Sequence, residues 1–250
     1  MFNLQGKVAV ITGAGQGNGA AIAAGLAAAG AKVAMADINK ETVENTRENI
    51  TASGGIALAA QLDVTDMDAV FAFREAVTET FGATSILVNN AGVIRRTDID
   101  SNTYESDWDA TFAVNVGGPR NMVRAFREDL KSQQGVIINL ASIMSLVAGP
   151  ALTAYAASKG AVAQFTKALA QDMAPYGVRV NAILPGVIAT PMTEVTRQSP
   201  EAIARFMAHT PLRRVGQPEE LVGPVLFLSS NAASYVTGAL LPVDGGYLSN

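Results

Sequence analysis

Residues 7–19 read KVAVITGAGQGNG, and they decide how the rest of the chain is read. Lys7–Thr12 is a short apolar run bounded by glycine, which suits a buried strand. The small residues of Gly17–Ala29 suit a closely packed helix. Between them stand Gly13, Gly15, Gly17 and Gly19. Glycines there permit a tight turn and let backbone N–H groups at a helix N-terminus approach a pyrophosphate. The register stays open. G-x-G-x-x-G from Gly13 fails because Asn18 holds its last position. From Gly15 the pattern ends at Ala20, and Gly13-x-x-x-Gly17-x-Gly19 is a third reading. Taken alone, the glycines also fit an ordinary strand-to-helix turn.

Working outward, strand-like and helix-like stretches alternate along the chain. Strands are expected at Ala31–Ala36, Ile56–Leu62, Ser85–Val88, Val136–Leu140, Val178–Leu184 and Leu240–Val243. Helices are expected from Lys40 to about Ser53, over Asp66–Phe81, over roughly Tyr104–Lys131 and over Leu152–Ala174. Apolar strands separated by helices of this length predict an α/β fold, a doubly wound parallel sheet of Rossmann type with helices on both faces. No composition break or repeat divides residues 1–250, so one domain is expected. Pro185, Pro191, Pro200 and Pro211 interrupt the region after the penultimate strand. An irregular lid is expected there, at about residues 186–215.

Composition narrows the chemistry. Of the 250 residues, 49% are hydrophobic and 16% charged, with a net charge of −4, which argues against disorder. The Lys and Arg residues are scattered, so no basic face favours nucleic acid. With no cysteine and a single histidine, His209, thiolate sites, disulfides and multi-histidine zinc sites are excluded and no metal is expected. His209 itself reads as a bystander. Residues 1–7 lead into the first strand without a basic region and apolar stretch, and no segment suits a membrane span, so a cytoplasmic protein without a membrane partner is the expectation.

Asp37 follows the second strand, 18 residues after Gly19. A carboxylate there can accept hydrogen bonds from an adenosine ribose and would repel a 2′-phosphate. Neither Ile38 and Asn39 nor Gln16 offers a cation to such a phosphate. NAD is therefore expected rather than NADP, although Asp37 also fits a simple cap before Lys40.

With these motifs goes an ordered series: Asp63-Val64, Asn89-Asn90-Ala91-Gly92, Asn115, Ser142, Tyr155-x-x-x-Lys159, Pro185-Gly186 and Thr190. In order and spacing the chain resembles the short-chain dehydrogenase/reductase family over essentially its whole length. The resemblance implies that Gly13, Gln16, Gly17, Asn18 and Gly19 line the dinucleotide. It also implies that Asp63 and Val64 meet the adenine and that Asn90 lies beside its ribose, with Asn89 bracing backbone. Backbone at Ile188 and the Thr190 position would hold the nicotinamide carboxamide. Asn18 departs from the family, which usually carries an apolar residue there. A homotetramer built through the long helices is also implied, and small residues such as Ala161 and Ala163 permit it.

The chemistry follows. Moving a hydride between a carbinol carbon and a nicotinamide requires a proton to move at the alcohol oxygen. Tyr155 and Lys159 share a helix face. Lys159 and an oxidised nicotinamide would both favour phenolate, so Tyr155 reads as the general base or acid. Ser142 reads as the hydrogen-bond donor to the substrate oxygen. By resemblance Lys159 also holds the nicotinamide ribose, and Asn115 links a water to Lys159.

The substrate is a small molecule. Ile143–Val147 predict an apolar wall that includes Met144. Arg95 and Arg96 fit either a solvated pair or a clamp on a substrate carboxylate. The Arg-Arg run resembles dehydrogenases of gluconate and deoxy-gluconate type. The C-terminal half is similar to polyol dehydrogenases of galactitol type, and the whole chain to 3-oxoacyl-carrier-protein reductases. An NAD(H)-linked secondary-alcohol dehydrogenase is the leading expectation. An NADPH-dependent 3-oxoacyl thioester reductase and a non-catalytic dinucleotide sensor stand as alternatives.

Overall fold

A computed structural model describes residues 2–249. Its seven strands are β1 (Val8–Thr12), β2 (Lys32–Asp37), β3 (Ile56–Gln61), β4 (Ile86–Asn89), β5 (Val136–Leu140), β6 (Arg179–Pro185) and β7 (Leu240–Val243). All pair in parallel in the order β3-β2-β1-β4-β5-β6-β7. Each expected strand is present, with no end moved by more than one residue.

Side-chain alternation builds the two layers. Ala9 and Ile11 face one side of β1, where they join Ile22, Leu26, Val225 and Leu228. Those partners come from helices α1 (Gly17–Ala28) and α9 (Val222–Ser229). Val8 and Val10 face the other side and pack with Val70, Phe73, Met122, Phe126 and Leu169. That layer draws on α3 (Met67–Phe81), α5 (Gly118–Ser132) and α6 (Thr153–Met173). A strand covered on both faces must be apolar at every position, which is why VAVIT shows no polar alternation.

Local signals set the helix starts. Asn39 caps α2 (Lys40–Ala52) by accepting the Thr42 N–H, and Asp66 caps α3 by accepting from Asp68 and Ala69. The long helix expected over Tyr104–Lys131 is divided into α4 (Tyr104–Phe112), a π-helical turn at Ala113–Gly117, and α5. The proline-rich segment is not irregular: it contains α7 (Glu194–Gln198) and α8 (Pro200–His209). Pro200 opens α8, where its missing N–H has no helical partner to lose. Its reading as a breaker is thereby corrected. No helix among the described residues is long and apolar enough to cross a membrane.

The site is located by topology. β1 pairs with β2 on one side and β4 on the other, so the direction of strand succession reverses there, opening a crevice at the carboxyl ends. Helix α1 is pressed onto that point. A Cβ on Gly19 would lie 2.1 Å from the Gly13 carbonyl oxygen and 2.5 Å from Asn90 Nδ2. Gly19→Ala is therefore expected to cost about 1–3 kcal/mol of stability, as overpacking does. Thermal unfolding followed by circular dichroism should show a lower Tm, and an unchanged or higher Tm contradicts this packing.

Candidate active site

The turn after β1 is held from across the crevice. Thr12 Oγ1 accepts N–H bonds from Asn90 and Ala91 at 3.1 and 3.0 Å. Asn90 Nδ2 returns bonds to the carbonyls of Thr12 and Gly13, both at 2.9 Å. Gly13 turns here with φ of +63°, and a Cβ would meet Ala91 Cα at 2.9 Å. Only glycine fits. Asn90 lines the cleft, but its amide nitrogen is committed to the turn. Asn89 is buried within the sheet and donates to the Asn139 side chain at 2.8 Å, rather than to backbone as expected.

The cleft runs from Asp37 to Tyr155, with a volume of about 310 Å³. Gly13, Gln16, Gly17, Asn18, Asp37, Asp63, Val64, Asn90, Ser142, Tyr155, Lys159, Ile188 and Thr190, all singled out from the sequence, line it. Gly19 does not, because it lies beneath the turn. Asp37 accepts N–H bonds from Gly15 at 2.9 Å and from Asn39 at 3.0 Å, which fixes its carboxylate against the glycine turn. Asp63 Oδ1 accepts from the Thr65 N–H and hydroxyl. Lys159 is the one cation among the lining residues, at the far end from both carboxylates.

The residues present fit a nicotinamide dinucleotide. The cleft passes from acidic acceptors at one end, over a glycine turn at a helix N-terminus, to a buried tyrosine and lysine at the other. Asn18 Oδ1 is buried in this wall with no hydrogen-bond partner, so a polar atom there awaits one. Asp37 and Asp63 would face the adenosine, the Gln16–Asn18 backbone the pyrophosphate, and Lys159, Ile188 and Thr190 the nicotinamide half.

At the chemical end, Tyr155 and Lys159 are both buried on α6. Burial raises the Tyr155 phenol above its ordinary value, while the Ser142 hydroxyl and then the charge of Arg96 pull it down. Lys159 Nζ donates to the Leu140 carbonyl at 2.7 Å and stands 5.8 Å from the centre of the Tyr155 ring. Lys159 thus stands over the Tyr155 ring while bonded to the end of β5. Burial lowers the Lys159 ammonium from 10.5 to about 8. Ser142 Oγ accepts the Met144 N–H at 3.1 Å, which fixes its position after β5.

Asn115, 1% exposed, lies in the π turn. Its side chain accepts the Val93 N–H, donates to the Val93 carbonyl and donates to Ser158 Oγ. It thus clamps the segment after β4 onto α6. Gly92 lies between Asn115 and Lys159: a Cβ there would stand 3.2 Å from Asn115 Oδ1 and 3.5 Å from Lys159 Nζ.

Arg95 and Arg96 part company. Arg95 Nη1 pairs with Asp107 at 3.1 Å and is not among the residues lining either the cleft or the cavity beside it. Arg96 lines that second cavity, of about 490 Å³, with Met144, Leu152, Arg205, Phe206, His209 and Tyr247. Sequence reasoning missed Arg205, Phe206 and Tyr247, because α8 and the C-terminal turn reach the site only through folding. The amphipathic spacing of Ala202, Phe206 and His209 was the available signal. His209 stands edge-on to Tyr247, with ring centres 6.0 Å apart.

Residues 13–248 match the family described as "Enoyl-(Acyl carrier protein) reductase". The chain is 42% identical to galactitol 2-dehydrogenase (L-tagatose-forming) of Cereibacter sphaeroides, over 99% of this chain and 97% of that protein. It is 39% identical to gluconate 5-dehydrogenase of Gluconobacter oxydans, over 98% and 96%. Among solved structures, gluconate 5-dehydrogenase from Burkholderia cenocepacia in complex with NADP and tartrate superposes with a TM-score of 0.95 at 37% identity, covering 100% of this chain and 98% of that one.

Lys159 has a consequence for stability. Its folded pKa of about 8 lies below the ordinary 10.5, so the folded protein holds this proton less tightly than the unfolded chain. The burial penalty is therefore complete below pH 8 and is relieved as pH rises from about 8 toward 10.5. Its full size is about 3 kcal/mol. Relative to Lys159→Met, the wild type should gain stability across that pH range in denaturant titrations without cofactor. A constant difference contradicts the assignment.

Proposed function

The chain belongs to the short-chain dehydrogenase/reductase family, and from that premise we propose that it is an NAD(H)-dependent dehydrogenase of a small secondary alcohol. One observation carries the reading: Tyr155, with Ser142 beside it, closes the same cleft that has Asp37 at its opposite end. A reacting carbinol seated at Ser142 and Tyr155 would stand beside a nicotinamide held by Lys159, Ile188 and Thr190.

When bound, the nicotinamide takes up or gives the hydride, and its oxidised form adds a positive charge favouring phenolate. Ser142 donates to the substrate oxygen and stabilises charge developing there. In reduction Tyr155 gives its proton to that oxygen, and in oxidation its phenolate receives the carbinol proton. Its raised pKa in the free protein suits the acid role directly. The base role draws on the cofactor charge and on Lys159, whose ammonium stands over the ring. Lys159 commits one N–H to Leu140 and keeps two for ribose hydroxyls. We assign Asn115 to link a water to Lys159 across the gap that Gly92 leaves.

NAD is favoured over NADP because Asp37, held against the glycine turn, would repel a 2′-phosphate on an adenosine bound at that end, and Asp63 adds a second negative charge. Only the distant Lys159 could compensate. The protein is proposed to act in the cytoplasm as a homotetramer. Ala163 contributes nothing to that contact, since it is buried within its own subunit. The aromatic row Tyr104, Trp108 and Phe112 on α4 is a better candidate, with its last two rings stacked at 4.9 Å.

Tyr155→Phe should lower kcat for any oxidised alcohol by about a hundredfold or more while leaving NADH affinity near wild type. Turnover at the wild-type rate sinks the mechanism. For the wild type, kcat/KM measured at saturating alcohol should be higher for NAD⁺ than for NADP⁺. Equality or reversal removes the Asp37 argument.

A further inference from the structure

We propose that the substrate is a hydroxy acid whose carboxylate is held between Arg96 and Arg205 while its carbinol lies at Ser142 and Tyr155. The inference rests on the dehydrogenase reading above and adds the chemical class of the alcohol.

The second cavity and the catalytic tyrosine share a wall. Met144, Leu152 and Tyr155 form one buried cluster, and Phe206 and Tyr247 pack against it. Met144 in turn is bonded through its N–H to Ser142 Oγ. A molecule with its carbinol at Ser142 therefore extends into this cavity.

The charge of the cavity is one-sided. Arg96, Arg205 and His209 line it, and no Asp or Glu does. The protein carries 22 acidic residues against 18 basic ones, so a cavity that collects guanidinium groups without a carboxylate runs against its composition. Arg95 shows the contrast. One residue away, it is neutralised by Asp107 on α4. Arg96 instead donates to Thr196 Oγ1 at 2.6 Å, a neutral acceptor on α7, so its charge stays uncompensated. Among the described residues, no carboxylate pairs with Arg96 or Arg205.

Both arginines line one cavity from exposed positions, and their planar forks match a carboxylate. They come from different elements: Arg96 from the segment after β4, Arg205 from α8. A bound carboxylate thus ties α8 to the segment after β4. A neutral polyol would leave both charges unanswered and set hydroxyls against Met144, Leu152 and Phe206.

The test uses the full-length enzyme with NAD⁺ and a panel of aldonic and shorter hydroxy acids, each paired with its methyl ester, with neutral polyols alongside. A second readout is calorimetric titration of the enzyme–NADH complex with glutarate, an unreactive dicarboxylate. The wild type should prefer acids. Arg96→Met and Arg205→Met should each reduce the acid-to-ester ratio of kcat/KM by about ten- to a hundredfold, mainly through KM, and weaken glutarate by a similar factor. Arg96→Lys should recover part of both. Arg95→Gln removes the same charge outside the cavity and should leave the ratio where it was. Esters or polyols oxidised as well as the acids, or a ratio and glutarate affinity indifferent to Arg96 and Arg205, overturn the proposal. If no alcohol is oxidised at all, the dehydrogenase reading falls, and the glutarate titration alone decides whether the carboxylate site exists.

Discussion

Four hydrogen bonds join the end of β1 to the end of β4, between Thr12, Gly13, Asn90 and Ala91, and the site depends on them. The sheet reverses its strand order at this point, so the two strand ends would otherwise diverge with their backbone groups unpaired. Tying them together fixes the glycine turn. The turn then sets where α1 begins, and Gly19 lets α1 sit directly on the Gly13 carbonyl. Asp37 continues the chain of constraint by holding the Gly15 N–H from the next strand.

A second polar chain fixes the chemical end. Asn89 donates to Asn139, Asn139 to Thr166 and Thr166 to the Val162 carbonyl, linking β4, β5 and α6 inside an apolar interior. Since Tyr155 and Lys159 ride on α6, their height over the sheet is set by buried bonds that are costly to leave unmade. The same region carries a burial penalty. Lys159 keeps an ammonium in the interior with one protein acceptor. Function is the reason to tolerate such a residue, and stability at the site is spent accordingly.

Much of this was legible in the sequence because periodicity and glycine spacing report local structure. VAVIT and VIINL read as strands buried on both faces, and Asp66 stands as a cap at the start of α3. Most of the residues from Gly13 to Thr190 were findable because they follow strand ends, which meet on one side of a parallel sheet, while Tyr155 and Lys159 on α6 were marked by their helical spacing. What escaped was set by distant contacts. Pro200 looked like a breaker until its place at the first turn of α8 was known. Arg95 and Arg96 were indistinguishable until Asp107 was seen to take one and Thr196 the other. The bond from Lys159 to Leu140 also escaped, because it depends on the position of β5 beneath α6. The π turn at Asn115 was invisible for a similar reason, since the surrounding residues have helical pattern throughout.

Direct transfer of hydride from carbinol carbon to nicotinamide is the central claim, and isotope tracing tests it most directly. An alcohol carrying deuterium on its carbinol carbon should pass that deuterium to the cofactor in ordinary water, where mass spectrometry finds it on the reduced nicotinamide. Deuterium recovered in the solvent instead would contradict the assignment of this cleft as a dehydrogenase site.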